Sequence, residues 1–323
     1  MNIAVIGAGG NARGHAQGLA EMEDVRVVGI ADPAEDKAAA LAGDVGGQAF
    51  SDHQTMLDGA KPDAVCISSP CWLHAQQALD CMAAGAHVLC EKPMALNLED
   101  CDRMIAAARQ HGVVLMVCQT TRYIAQMAEL QRLFASGHCG ELVSAWSTRM
   151  GYHGGGAGTT WRLDGEQSGG IVFEWEVHEI DIVRRIGGPV SQVYARTAYS
   201  RADAPNFLDH FSAVLTFADG GYGNLEASQS CAVPQGGRGF VGTLGAAQTQ
   251  GNKVRLRTVD MDEDEIIEVE SGNVQQKQDG DFIRAVRDGA PSPVSGEDAR
   301  VNIEIGLAII ESGRTGQVVD LPL

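Results

Sequence analysis

An α/β fold in two parts is what this 323-residue sequence predicts: a doubly wound parallel sheet, then an α+β domain on a large, mostly antiparallel open sheet. Three features say so. Short apolar runs alternate with helix-like stretches as far as residue 118, a glycine-rich turn follows the first of them, and beyond residue 142 strand-like segments succeed one another through Gly or Asp-Gly turns. Parallel strands need crossover helices, whereas consecutive strands pair antiparallel. The change of pattern predicts domains 1–121 and 122–323.

Residues 2–6 form the first strand, and Gly7-Ala8-Gly9-Gly10-Asn11-Ala12 turns the chain into a helix running to about 22. In this G-x-G-x-x-A pattern Gly7 permits the tight turn, Gly9 lets backbone approach a pyrophosphate, and Ala12 allows close helix packing. The amides at that helix start, of Gly10 and Asn11, face the phosphates. The second strand, 25–31, ends at Asp32, an acceptor for ribose hydroxyls that repels a 2′-phosphate. With Pro33 next and no arginine beside it, NAD is expected rather than NADP; Arg13 is the cation that can reach either phosphate. Helices at 34–42, 53–57, 72–84 and 97–111 then alternate with strands at 48–50, 64–68, 87–90 and 113–118.

Glu91-Lys92-Pro93 ends the strand 87–90 abruptly, because proline has no ladder donor and keeps the residue before it out of helix. Lys92 is therefore fixed at the carboxyl end of a parallel strand, where open sheets bind ligands.

Lys and Arg number 24 against 42 Asp and Glu, a net charge of -18 without a basic block, which argues against nucleic acid and anionic membranes as partners. Eight cysteines without a CxxC pair read as reduced core residues of a cytoplasmic protein, with neither disulfide frame nor metal site. The chain opens directly on a strand, leaving no room for a signal peptide, and no apolar run reaches transmembrane length.

After a helix at 124–136, strands are expected at 142–150, 190–199, 210–217, 222–230, 239–244, 253–259 and 265–269, and helices at 279–289 and 297–313. If 174–185 is helical, Glu174, His178, Asp181 and Arg185 form one polar stripe and Val177, Ile180 and Val183 another face. That stripe reads equally as solvated i,i+4 pairs or as a site.

The glycine turn, Ser69-Pro70 with His74, Ala84-Gly85-Ala86-His87-Val88, Glu91-Lys92-Pro93, Arg122-Tyr123, Gly169-Gly170 leading to His178 and Asp181, and Ser295-Gly296-Glu297-Asp298 stand in an order that resembles the Gfo/Idh/MocA oxidoreductases, relatives of glucose-fructose oxidoreductase and inositol dehydrogenase. The resemblance covers nearly the whole chain. It implies an N-terminal Rossmann domain binding a nicotinamide cofactor and a C-terminal α/β domain whose open sheet faces a partner subunit in a homodimer or homotetramer. It further implies a sugar, inositol or related polyol as substrate, with Lys92 and His178 facing each other across the domain crevice.

On that basis His178 is expected as base, Lys92 as hydroxyl anchor and proton relay, Glu174 as the acid orienting His178, and Asp181 as a substrate hydrogen-bonder. Ser69, Pro70, His74 and Glu91 join Gly7 to Ala12 and Asp32 on the cofactor side. Arg122, Tyr152, Trp161 and Arg162 join the substrate side, and His153 is held in reserve. Glu174 and Glu176 depart from the family pattern, which has Asp and a small residue there. Competing readings are a glycosidase using NAD for transient oxidation, and a noncatalytic nicotinamide-binding regulator.

Overall fold

The computed structural model describes residues 1–152 and 160–323. The chain forms two compact units, Met1–Thr120 with Asn273–Val301, and Thr121–Gly272 with Asn302–Leu323.

In the first unit β1 (Asn2–Ile6), α1 (Gly10–Ala20), β2 (Arg26–Ala31), α2 (Glu35–Val45), β3 (Gln48–Phe50), α3 (His53–Ala60), β4 (Ala64–Ile67), α4 (His74–Ala83), β5 (His87–Cys90), α5 (Leu98–His111) and β6 (Leu115–Val117) alternate as expected. The six strands pair in parallel in the order β3-β2-β1-β4-β5-β6. The order reverses between β1 and β4, and the parting of loops at that switch point leaves the crevice where such sheets take ligands. Ala12, Ala16 and Leu19 recur at helical spacing on α1 and share one core with Ile3, Val5 and Ile30. Asn97 caps α5 by accepting from the Asp100 amide at 2.8 Å.

The second unit begins with α6 (Ala125–Ala135) and β7 (Leu142–Tyr152), then α7 (Gly165–Ser168), α8 (Gly170–Glu174) and α9 (Val177–Gly187). There follow β8 (Val190–Ala198), β9 (His210–Phe217), β10 (Tyr222–Ser228), β11 (Ser230–Gly242), β12 (Gly245–Gln250), β13 (Lys253–Thr258) and β14 (Glu265–Glu268). Last in the chain come α10 (Val274–Asp288), which belongs to the first unit, α11 (Gly296–Thr315), which belongs to the second from Asn302 onward, and β15 (Val319–Asp320). The nine-stranded sheet runs β14-β13-β12-β11-β7-β10-β9-β8-β15, antiparallel except where β7 meets β10. Val177, Ile180, Val183 and Ile186 of α9 are buried, each worth about 1.5–3 kcal/mol. Gly223 on β10 admits that helix, since a Cβ there would stand 2.7 Å from Val183. On the other face Tyr194, Val214, Asn224 and Trp146 are in register across four strands.

Three differences from the sequence reading have physical causes. β11 begins at Ser230, well before the expected 239: the register shifts between Ser230 and Gln235, and beyond that bulge Gln235, Gly236 and Gly237 pair with Met150, Arg149 and Thr148 although Pro234-Gln235-Gly236-Gly237 reads as a loop. The small residues of β12 carry no strand signal, yet they lie between two strands that do. The segment Asn273–Val301, expected in the second domain, belongs to the first: α10 packs along α1, the Val117 amide donates to Val294 O at 3.0 Å, and the Gln119 amide donates to Gln278 Oε1 at 2.7 Å. Such a return is set by tertiary contacts and leaves no local mark.

Candidate active site

In the first unit the candidate residues gather on the carboxyl rim of the parallel sheet. Gly7 has φ +105° and its amide donates to Ala31 O at 2.7 Å. A Cβ there would stand 2.7 Å from Ser68 O, so only glycine closes the turn. Gly9 and Gly10 differ: a Cβ at either meets nothing within 4 Å, so packing within the protein does not require glycine. Gly9 caps α1 without a side-chain hydrogen bond, the first turn carries no acid, and Asn11 is exposed while Ala12 is buried. The Ser68 hydroxyl just past β4 is buried without a hydrogen-bond partner among the described residues. Open backbone, uncapped helix amides and an orphaned hydroxyl are what a pyrophosphate needs on arrival. Asp32 braces the turn, its Oδ2 accepting from the Ala8 amide and its Oδ1 from the Ala34 amide, both at 2.8 Å. Arg13 pairs with Asp44.

The Glu91-Lys92-Pro93 loop is clamped from two helices. His74 on α4 has Nδ1 2.8 Å from Pro93 O and Nε2 2.9 Å from Ser69 O. Burial lowers its pKa against the pull of those carbonyls. His15 on α1 places Nε2 3.1 Å from Glu91 Oε1, and Glu91 Oε2 accepts from the Lys92 amide at 3.0 Å. Ser69 Oγ donates to Gln77 Oε1, and Pro70 is half-buried beside it. His74 and Glu91, expected to touch a cofactor, are thus buried clamps whose polar atoms are spent on the protein. Lys92, on the loop they hold, is half-buried.

The second unit overturns more. Glu174 and His178 do not share a continuous helix: α8 ends at Glu174, Trp175 adopts φ -117°, and α9 starts at Val177. Glu174 accepts from Arg162, whose guanidinium lies 4.6 Å over the Trp161 ring. Asp181, expected to hydrogen-bond substrate, is fully buried and taken up by protein donors. Its Oδ2 accepts from Arg122 Nε at 2.7 Å, and its Oδ1 from Arg122 Nη2 at 2.5 Å, Asn302 at 3.0 Å and Arg184 at 3.2 Å. Arg122, expected to bind substrate, is spent on that carboxylate, and Arg185 donates to Gln131 at 3.0 Å. Tyr152 is exposed beneath Arg201, 5.6 Å from its ring. His178 is half-buried with Nδ1 3.5 Å from Thr121 Oγ1. His153 lies outside the described residues.

Two groups escaped the sequence reading. Below the nine-stranded sheet Glu179 accepts from Arg238 Nε at 2.6 Å and from Ser147 at 2.8 Å, while both oxygens of buried Glu176 lack hydrogen-bond partners among the described residues. Burial and the Glu179 charge push the Glu176 carboxyl well above the ordinary range. In the first unit His15, Asp279 and Glu91 form a buried chain, and His15, Glu91 and Cys118 offer donor atoms within 4.8 Å. Burial raises the Cys118 thiol far out of the thiolate range, and both His15 nitrogens already face carboxylates, so the set reads as a hydrogen-bonded chain. The available signal was His15 itself, one turn past Ala12 on the apolar stripe of α1.

Fold and rim together are those of a dinucleotide-binding protein. Residues 1–119 match the oxidoreductase family with an NAD-binding Rossmann fold, and 127–248 match the GFO/IDH/MocA C-terminal domain: the chain belongs to the GFO/IDH/MocA oxidoreductases. Similar curated proteins include 1,5-anhydro-D-fructose reductase of Ensifer adhaerens, 26% identical over 98% of this chain and 97% of that one. Myo-inositol 2-dehydrogenase of Thermotoga maritima is 26% identical over 97% of this chain and 96% of its own. Among solved structures, GenD2 from gentamicin A biosynthesis, in complex with NAD, aligns with TM-score 0.88 at 25% identity over 100% of this chain and 97% of that one. Among the described residues no helix is long and apolar enough to cross a membrane.

Proposed function

We propose that this oxidoreductase is an NAD-dependent dehydrogenase that moves a hydride between the nicotinamide and a hydroxyl-bearing carbon of a sugar, inositol or related polyol. One observation carries it: Lys92 stands at the carboxyl end of β5, on the rim that holds the open glycine turn, in a loop clamped on both sides by buried histidines. Relatives that reduce an anhydro sugar or oxidise an inositol favour the substrate class.

Gly9, Gly10 and Asn11 would hold the pyrophosphate through backbone amides, and Asp32 the ribose hydroxyls. A carboxylate there repels a 2′-phosphate, and Arg13 is engaged by Asp44, which favours NAD over NADP. Bound nicotinamide supplies the hydride acceptor. The chain's own work is proton handling. As a C–H bond gives up hydride, the attached hydroxyl must lose its proton, and a base with a pKa near the working pH removes it best. His178 is that base, and Lys92 donates a hydrogen bond that anchors the hydroxyl and relays the proton. Glu174 positions Arg162 and the chain entering α9. Tyr194, Val214 and Trp146 on the open face of the large sheet favour self-association as a homodimer or homotetramer, and the cysteine usage favours the cytoplasm.

The test is incubation with NAD or NADP and a panel of aldoses, polyols and inositols, following nicotinamide reduction. Reduction with NAD on at least one member is expected. Silence throughout overturns the reading, and glycoside cleavage without net NADH replaces it by transient oxidation.

A further inference from the structure

His15 and Asp279 have no part in the proton handling described above, yet they are among the most completely buried polar groups of the first unit. His15 Nδ1 lies 2.9 and 3.0 Å from the two oxygens of Asp279 on α10, and Nε2 lies 3.1 Å from Glu91 Oε1. An imidazole flanked by two carboxylates can donate to both only as the imidazolium, and a neutral ring would aim a lone pair at one of them. Burial opposes that charge, while Cys66 and the hydrogen bonds to Asp279 and Cys118 favour it, leaving His15 well above its ordinary pKa. Burial also lifts the Asp279 carboxyl, so the pair keeps its proton. Glu91 completes the chain: burial pushes it up, but the His15 hydrogen bond and charge and the Lys92 charge and amide bring it down to about 2. The sequence of groups is therefore Asp279, His15, Glu91, and then the backbone amide of Lys92. Its elements are α10, α1 and the end of β5, and α1 is the helix whose first turn is the glycine turn.

We infer that His15, held by Asp279, is a positioning residue for Lys92 that acts through Glu91, fixing the lysine backbone and setting the negative field its ammonium feels. The catalytic consequence rests on the dehydrogenase reading; the electrostatic one does not. Among the described residues the charged or titratable neighbours of His15 include Asp279, Glu91, Cys66 and Cys118, and those coupled to Lys92 include Glu91 and His74.

The sign of the coupling is its signature. Replacing Glu91 by Gln removes the anion coupled to the Lys92 charge, so the ammonium loses a stabilising neighbour and Lys92 acylates faster. Replacing His15 by Gln removes the cation behind that anion, leaves Glu91 less compensated, and slows acylation of Lys92. Loosened packing alone moves both variants the same way or neither.

The experiment is peptide-resolved acetylation of Lys92 by acetic anhydride, read by mass spectrometry on the full chain, for the wild type, Glu91→Gln, His15→Gln and Asp279→Asn. Opposite changes of about threefold or more in the Lys92 acetylation rate at fixed pH are expected for the first two variants, with Asp279→Asn following His15→Gln. Shifts of one sign, or an unmoved Lys92 in Glu91→Gln, overturn the proposal. Asp279→Asn carries the same sign should His15→Gln not fold. Once a substrate is found, His15→Gln should lower kcat by about 10–100-fold with the nicotinamide KM unchanged, as expected of a displaced reacting group. Opposite shifts in a protein that reduces no nicotinamide leave the relay standing and sink the dehydrogenase reading; turnover with no shift does the reverse.

Discussion

The loop around Lys92 and the segment around His178 are built on opposite plans. In the first unit three buried side chains, His15, Glu91 and His74, converge on a short proline-terminated loop and leave Lys92 as its half-buried member. In the second, the acid, histidine and aspartate that look alike in sequence are divided by a break in the helix. Glu174 goes to Arg162, Asp181 becomes the hub of two arginines and Asn302, and His178 remains half-buried beside Thr121. A polar stripe at helical spacing is thus a poor guide to which members do chemistry. Burial and saturation of hydrogen bonds sort them.

Four outcomes test that contrast, the largest first. Lys92→Met should lower kcat by about a thousandfold while nicotinamide binding, followed by fluorescence titration, stays as in the wild type. Full turnover in that variant would break the first half of the comparison. Asp181→Ala should cost about 3–5 kcal/mol, because it strands Arg122 and Arg184 in a buried site, and should show as a lowered Tm. An unchanged Tm with a raised substrate KM would return Asp181 to the substrate. His178→Asn should lower kcat/KM by about a hundredfold while leaving Tm alone. That pairing of effects separates His178 from its neighbour three residues on.

The smallest effect concerns Glu176. Its carboxyl is raised in the folded state, so between the unfolded and folded pKa values the native protein holds a proton that the unfolded chain has released. Stability contributed by Glu176 is full below the unfolded value and declines as pH rises towards the folded one, at up to about 1.4 kcal/mol per unit. Glu176→Gln, neutral and of similar shape, should flatten that decline and make the protein more stable than wild type at neutral pH but not below pH ~4. Urea unfolding at the two pH values measures it. Equal slopes would mean that Arg149 and Arg238 keep Glu176 ionised.

How far the site was legible varies with the range of the interactions involved. Gly7, Asp32 and Glu91-Lys92-Pro93 announce themselves because each acts through its own backbone: a positive φ, a strand end, a proline. Asp279 gave no such sign, since α10 begins at Val274 and not at 279, which puts the aspartate one turn inside the helix and facing inward. The same holds for Arg122, whose partner lies 59 residues away, and for Arg238, equally far from Glu179.

Alternation of apolar runs with helices was enough to determine the parallel sheet and its glycine turn, and succession of strands enough to determine the antiparallel one, because periodicity and turn chemistry act between near neighbours in the chain. The tertiary structure alone decided that 273–301 returns to the first unit, that His15 is clasped between Asp279 and Glu91, and that Asp181 is saturated by arginines. Those outcomes depend on which distant side chains share a dry, low-dielectric space, and buried charges settle only where partners reach them.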